Sequence, residues 1–326
     1  MAELTMIEAI NQALHEAMSA DDAVVVLGED VGVDGGVFRV TRDLIEEFGD
    51  RRVIDTPLAE SVIVGASIGM AIHGLRPVCE IQFSGFSYYA MHQIESHAAR
   101  MRWRSRGRHQ VPMVVRMPYG AGVRALEHHS ESKEAWFAHI PGLKTVIPSG
   151  PRTARGLLAS AIRDPDPVIF MEPKQAYRAF REEVPDDDDP VPIGESRVVR
   201  EGDAITLIAY GAMLRPTLDA AEQLADEGVE AEVIDVLTIS PLDETTFTES
   251  VRKTGRAVVV HEAHRSFGPA GEIAFRLIEQ SFWWLQAPIR RVTGYDVIVP
   301  MFAREQHYLP DPERIVRAAR QTLEDE

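Results

Sequence analysis

Two hydrophobic rhythms alternate along this chain. Short apolar, β-rich runs occur at AVVVLG (23–28), RVID (52–55), RPVCEIQF (76–83), VPMVVRM (111–117), LKTVIP (143–148) and PVIFME (167–172). Bounded by turn residues, such runs read as strands of a buried sheet. Between them, stretches at about 41–48, 57–74, 86–106 and 151–163 have helix-like patterns, and the chain opens on an amphipathic helix within MAELTMIEAINQALHEAM. Strand and helix in alternation predict a mostly parallel, doubly wound sheet.

The segment EEVPDDDDPVPIGE, residues 182–195, interrupts this rhythm with prolines and consecutive acids that neither pack nor continue a helix. It reads as a linker. A metal site at Asp186–Asp189 is the weaker reading, because consecutive aspartates point in different directions. Beyond it come AITLIAYG, a helix at about 214–227, VEAEVIDV, GRAVVVHEA, a helix at 269–285 and IRRVTG. The expected architecture is therefore α/β with two doubly wound domains: residues 1–181, a linker at 182–195, and a smaller domain at 196–326.

Charge narrows the functions. Basic residues number 34 and acidic residues 51, a net charge of −17, which opposes binding to nucleic acid or to an anionic membrane surface. The longest apolar segment, Ser61–Ile72, falls well short of the roughly 18–20 residues of a membrane span. The acidic opening, with Glu3, Glu8 and Glu16, is unlike a signal or transit peptide and predicts a cytoplasmic protein. The single cysteine, Cys79, leaves neither an internal disulfide nor a cysteine metal cluster and reads as a buried thiol. Lysine is confined to Lys133, Lys144, Lys174 and Lys253 while aspartate is plentiful; this suits a salt-rich, halophile-like cytoplasm, and a GC-rich genome would also favour arginine. Neither a G-x-G-x-x-G after a strand nor a G-x-x-x-x-G-K-[ST] occurs, so the phosphate loops of nicotinamide dehydrogenases and nucleoside triphosphatases are missing.

The stretch DTPLAESVIVG places Glu60 at the head of a run of small and apolar residues. Thr56 followed by Pro57 predicts a helix start, with Glu60 in its first turn. An acid there can simply complement the helix dipole. The small residues beyond it, Gly65, Ala66, Ser67, Gly69, Ala71 and Gly74, predict close approach of another backbone, and a carboxylate entering such a packed place needs a partner.

Several long motifs, in order, carry a resemblance. GEDVGVDGGVFRVT, FGDRRVIDTPLAESVIVGASIGMAIHGLRPVCEIQFSGF, HHSESKEAWFAHIPGLKTVIPSGP, DPVIFMEPKQAYR and KTGRAVVVHEA resemble the beta subunit of the decarboxylating first component of 2-oxo acid dehydrogenase complexes, from about residue 3 to residue 310. The resemblance implies a thiamine diphosphate pyrimidine-binding domain followed by a transketolase C-terminal-like domain. It implies that Glu60 hydrogen-bonds the cofactor's aminopyrimidine ring. A buried glutamate can share a proton with the ring nitrogen, so that the exocyclic nitrogen becomes basic enough to take the thiazolium proton. By the same resemblance Leu58, Gln82 and Phe86 line the cofactor pocket, although Phe86 reads equally as core at a strand end. His129, in a motif close to the family's H-S-Q-S, matches the active-site histidine that helps present the reacting carbon to a lipoyl group.

Two positions depart from the family pattern. Glu131 stands where glutamine is common, where it would raise the pKa of His129 or shape the lipoyl approach, and His92 stands where aspartate often precedes Gln93. The family's structural potassium site maps to Ala161, Asp164 and Asp166, for which a plain helix-to-strand turn is as good a reading. The G-D-G…N element that holds magnesium and the diphosphate is missing: Gly49-Asp50 and Gly202-Asp203 are followed by arginine and alanine. The resemblance therefore implies half a site, completed by an alpha subunit in an α2β2 heterotetramer that serves a lipoyl acyltransferase component. The expected reaction is oxidative decarboxylation of pyruvate or a branched-chain 2-oxo acid. An acetoin dehydrogenase beta subunit and a catalytically silent scaffold are the alternatives.

Overall fold

The computed structural model describes residues 2–185 and 189–325; residues 186–188, most of the acidic run weighed above as a metal site, lie outside the described residues. The strands expected in the first half form one seven-stranded sheet in the order Thr238–Ser240, Lys144–Val146, Val168–Pro173, Val114–Tyr119, Arg76–Glu80, Val24–Gly28, Val53–Asp55. All neighbours are parallel except the Thr238–Ser240 edge strand. Side chains alternate between the two faces of this sheet. Val26, Val78, Val114 and Val168 meet the Met6–Ala20 and Pro151–Arg163 helices on one face. Leu27, Cys79, Val115 and Ile169 meet the Glu60–Ile72 helix on the other. Each fully buried aliphatic side chain contributes about 1.5–3 kcal/mol, so the near-continuous apolar runs demand helices on both faces. Cys79 is one of these core residues, and burial pushes its thiol up to about 12.

The second half builds a five-stranded sheet in the order Arg290–Thr293, Ala257–His261, Ile205–Ala209, Ala231–Asp235, Arg197–Arg200, the last strand antiparallel. One apolar cluster runs without interruption from Val115 and Tyr119 through Ile147 and Tyr210 to Ile234 and Val259. The two sheets thus share a core. Among the described residues, no helix is long and apolar enough to cross a membrane.

Two expectations need correction, and one edge strand is new. The 86–106 stretch is not one helix but a 3-10 turn (Ser84–Tyr89), a short α-turn (Met91–Gln93), a π-turn (Ile94–Ala98) and a further turn at Met101–Arg104. Other backbone presses on it at both ends, Gly85 against the His128 carbonyl and Gly142 against the Ala99 carbonyl. The 182–195 stretch opens as a strand, Glu182–Val184, paired antiparallel with Ala2–Leu4. Thr238–Ser240, from the second half of the chain, closes the edge of the first sheet.

Candidate functional site

Parallel strands release their chain at one edge, and that edge of the first sheet gathers the predicted site residues. Glu29 and Asp30 follow Val24–Gly28, the Thr56–Glu60 segment follows Val53–Asp55, Gln82 and Phe86 follow Arg76–Glu80, and the loop ending at His129 follows Val114–Tyr119. Ala161, Asp164 and Asp166 instead lie where the Pro151–Arg163 helix enters Val168–Pro173, at the opposite edge.

Glu60 is the first residue of its helix, which starts three residues later than Thr56-Pro57 suggests: Ala59 holds the cap position without a side-chain hydrogen bond. Thr56 is drawn away because its N–H donates to the Gly28 carbonyl at 2.9 Å, in the strand beside it. Its hydroxyl oxygen is buried and makes no hydrogen bond among the described residues. The Glu60 side chain is only 5% exposed, and its carboxylate has no hydrogen bond or ion pair to another described residue. Glu29 stands close by; burial, with the negative charges of Glu60, Asp30 and Glu80, holds its pKa above the usual carboxylate range. Gln82 Nε2 donates to Asp30 Oδ2 at 3.1 Å, and the Asp55 carboxylate accepts the N–H groups of Gly32 and Val33 at 2.5 and 3.1 Å. Leu58 projects outward at 77% exposure.

His129 sits in an aromatic corner, with its ring 4.4 Å from Phe83 and 5.3 Å from Phe86, both nearly edge-on. Its Nδ1 is buried without a hydrogen bond among the described residues. Burial first, then the charges of His128 and Lys174, hold its pKa below the ordinary histidine value, so the ring is neutral at pH 7. Glu131 does not raise the His129 pKa as expected. That carboxylate lies 2.8 Å from the Lys133 ammonium, which is itself held between the Tyr88 and Trp136 rings at 4.3 and 4.2 Å. His92 stacks edge-on with His97 at 5.1 Å, while Gln93 reaches Ser61 on the Glu60 helix at 3.5 Å.

The loop carrying His129 threads past Phe86 because residue 85 is glycine, where any Cβ would run into the His128 carbonyl. Sequence reasoning missed Glu29, Asp30, Phe83 and Lys174. The signal was available, since each directly follows a strand or lies within three residues of its end.

The donor set decides which groups fit. An almost buried, unpaired carboxylate among Glu29, Asp30 and Glu80 suits a ring that brings a proton and a positive charge, as an aminopyrimidine joined to a thiazolium does. The same carboxylates repel a diphosphate. Among the described residues no group of three or more His, Cys, Asp or Glu is arranged to hold a metal ion. At the potassium positions, Asp164 is paired with Lys144 Nζ at 2.5 and 2.7 Å and Asp166 with Arg102 Nε at 2.5 Å.

The chain matches the transketolase pyrimidine-binding domain over residues 2–179 and the transketolase C-terminal domain over residues 194–315. It is 51% identical to the pyruvate dehydrogenase E1 component subunit beta of Acholeplasma laidlawii, covering 97% of this chain and 96% of that one. To the subunit of the same name from Bacillus subtilis it is 47% identical over 99% and 100% of the two chains. Among solved structures, a split-gene transketolase described as an inactive beta4 tetramer superposes with a TM-score of 0.83 at 22% identity, covering 99% of each chain.

Proposed function

The chain belongs to the family of pyruvate dehydrogenase E1 beta subunits, built on transketolase pyrimidine-binding and C-terminal domains, and from that premise we propose that it supplies the pyrimidine half of a thiamine diphosphate site. Its reaction is the decarboxylation of a 2-oxo acid, pyruvate first among them, with transfer of the acyl group to a lipoyl acyltransferase component. The observation that carries this reading is the buried Glu60, whose carboxylate has no hydrogen bond or ion pair to another described residue. When bound, thiamine diphosphate supplies the electron sink for carbon–carbon cleavage.

This chain's residues do the rest by position and proton. Glu60 holds a proton against the pyrimidine nitrogen at the positive end of its helix, and the Gln82 amide, fixed by Asp30, orients the polar edge of the ring. Phe86 and Leu58 provide apolar walls. His129, neutral at pH 7, can accept a proton or donate one at the approach of the lipoyl group. The two halves work as a pyrimidine domain at 1–181 and a second domain at 196–326.

An alpha subunit completes the site, holding magnesium and the diphosphate, in an α2β2 heterotetramer. Apolar side chains exposed around the carboxylate edge support this: Leu58, Val62 on the Glu60 helix at 66% and Tyr89 after Phe86. Gly69 also opens outward from that helix, with no atom near the position of a Cβ.

The test is to capture the chain with its natural partner at high potassium chloride and measure 2-oxo acid-dependent reduction of an artificial electron acceptor. The expected result is turnover that needs thiamine diphosphate, magnesium and the copurified chain, and that falls at least about a hundredfold in Glu60→Gln. Activity of this chain alone, near-normal turnover of Glu60→Gln, or a partner complex inactive on every 2-oxo acid would overturn the proposal. Preference for acetoin would replace the substrate and leave the site assignment standing.

A further inference from the structure

The loop that presents His129 has an irregular path. It leaves Val114–Tyr119 through left-handed backbone at Gly120 (φ +84°), Gly122 (φ +94°) and Arg124 (φ +58°), and only the last turn, Glu127–His129, is helical. Left-handed backbone at a non-glycine residue such as Arg124 persists only where its surroundings enforce it. Three buried charged side chains surround this loop. Glu262, directly after the Ala257–His261 strand, accepts the Ala121 N–H at 2.8 Å. Glu305, opening the Glu305–Tyr308 turn, accepts the Arg124 N–H at 2.8 Å. Lys174, after Val168–Pro173, donates to the Gly120 carbonyl at 2.6 Å and to the His129 carbonyl.

We propose that the second domain is part of the catalytic apparatus: Glu262 and Glu305 clamp the start of the His129 loop from across the domain boundary while Lys174 ties its two ends together, so that the three act as positioning residues for His129. The functional weight of the clamp rests on the reading of His129 given above. Removing one partner of a buried hydrogen bond leaves the other unsatisfied. The geometry suits the purpose. Glu262 lies where a Cβ on residue 120 would stand, so only glycine lets the carboxylate approach the loop backbone. The Lys174 ammonium also faces the Phe83 ring, 5.5 Å from its centroid, and Phe83 is the wall against which His129 stands. Burial brings the Lys174 pKa down to about 8, against the opposing pull of the Glu262 and Glu305 charges from across the boundary. Nothing in the family matches given above assigns these residues a role.

Glu262→Ala and Glu305→Ala remove an acceptor, while Glu262→Gln and Glu305→Gln keep a side-chain oxygen in its place. Amide hydrogen exchange on the full chain and turnover of the captured assembly are the two readouts. In the alanine variants, exchange across residues 121–124 should quicken by about tenfold or more, while the strands at 114–119 and 257–261 keep their protection. With the loop loosened, kcat should fall and the KM for the 2-oxo acid should hold, and the glutamine variants should restore both readouts. Unchanged exchange at 121–124 would overturn the clamp, and quickened exchange with an unaltered kcat would overturn its positioning role. If the wild-type assembly shows no turnover, the functional reading fails by itself, and exchange alone then decides the clamp.

Discussion

Removing the Arg116 guanidinium tests how the floor of the site is held. Arg116 is 1% exposed in the middle of the seven-stranded sheet. Its Nη1 donates to Glu80 Oε2 at 2.9 Å, Nη2 donates to Glu172 Oε2 at 3.0 Å, and Nε lies 2.7 Å from Glu172 Oε1. The Tyr177 hydroxyl adds a donor to Glu172 at 2.5 Å. One cation therefore joins three adjacent strands just below Gln82, the His129 loop and Lys174. Arg116→Met leaves two buried carboxylates without their counter-charge, and breaking such a pair from one side costs about 3–5 kcal/mol. In urea, at a slope of about 3 kcal/mol per molar, the unfolding midpoint should drop by roughly 1–1.7 M.

The pH dependence has a definite sign. Burial already holds the Glu80 pKa above its usual range, and without Arg116 it rises further. A raised carboxyl pKa costs stability as pH rises above the unfolded value near 4.3, so the deficit of Arg116→Met should be larger at pH 8 than at pH 5.5. The triple variant Arg116→Met, Glu80→Gln, Glu172→Gln should recover most of the loss, because it leaves no buried charge. Urea titrations followed by far-ultraviolet circular dichroism measure all of this. A loss under about 1 kcal/mol for the single variant, where 3–5 is expected, or a triple variant as unstable as the single, would refute the reasoning.

Two further outcomes follow from local geometry. Gly85→Ala puts a methyl group into the His128 carbonyl, so turnover of the assembly should fall by about tenfold or more, with a strain cost of about 1–3 kcal/mol visible in the same urea titration. His261 is buried at the end of its strand, and burial takes its pKa down to about 3. Its stabilising contribution is complete above the unfolded value near 6.5 and is lost as pH falls, at about 1.4 kcal/mol per pH unit. Between pH 6.5 and 5, wild type should therefore lose roughly 2 kcal/mol relative to His261→Leu, and parallel stability–pH curves for the two proteins would contradict this.

The sequence by itself determined most of the elements and which strand ends carry the candidate site residues, because both depend on near neighbours. Apolar runs such as VPMVVRM can only be strands buried on both faces, and a strand-helix alternation closes them into a parallel sheet. That sheet brings residues following its strands to one edge, so Glu60, Gln82, Phe86 and His129 were legible as motifs attached to strand ends. The helix start was not legible, because Thr56 cannot cap while its backbone is claimed by Gly28, on another strand. Nor was the state of His129: its neighbour Glu131 is neutralised by Lys133, and the charges that matter, on His128 and Lys174, are weighed only once burial is known. The strand at Thr238–Ser240, too short to show a period, joins a sheet built almost a hundred residues earlier. Tertiary structure alone decided that Glu262 and Glu305, more than a hundred residues beyond the loop, hold its backbone, since a carboxylate's partner is set by distance in space and by the absence of water around it.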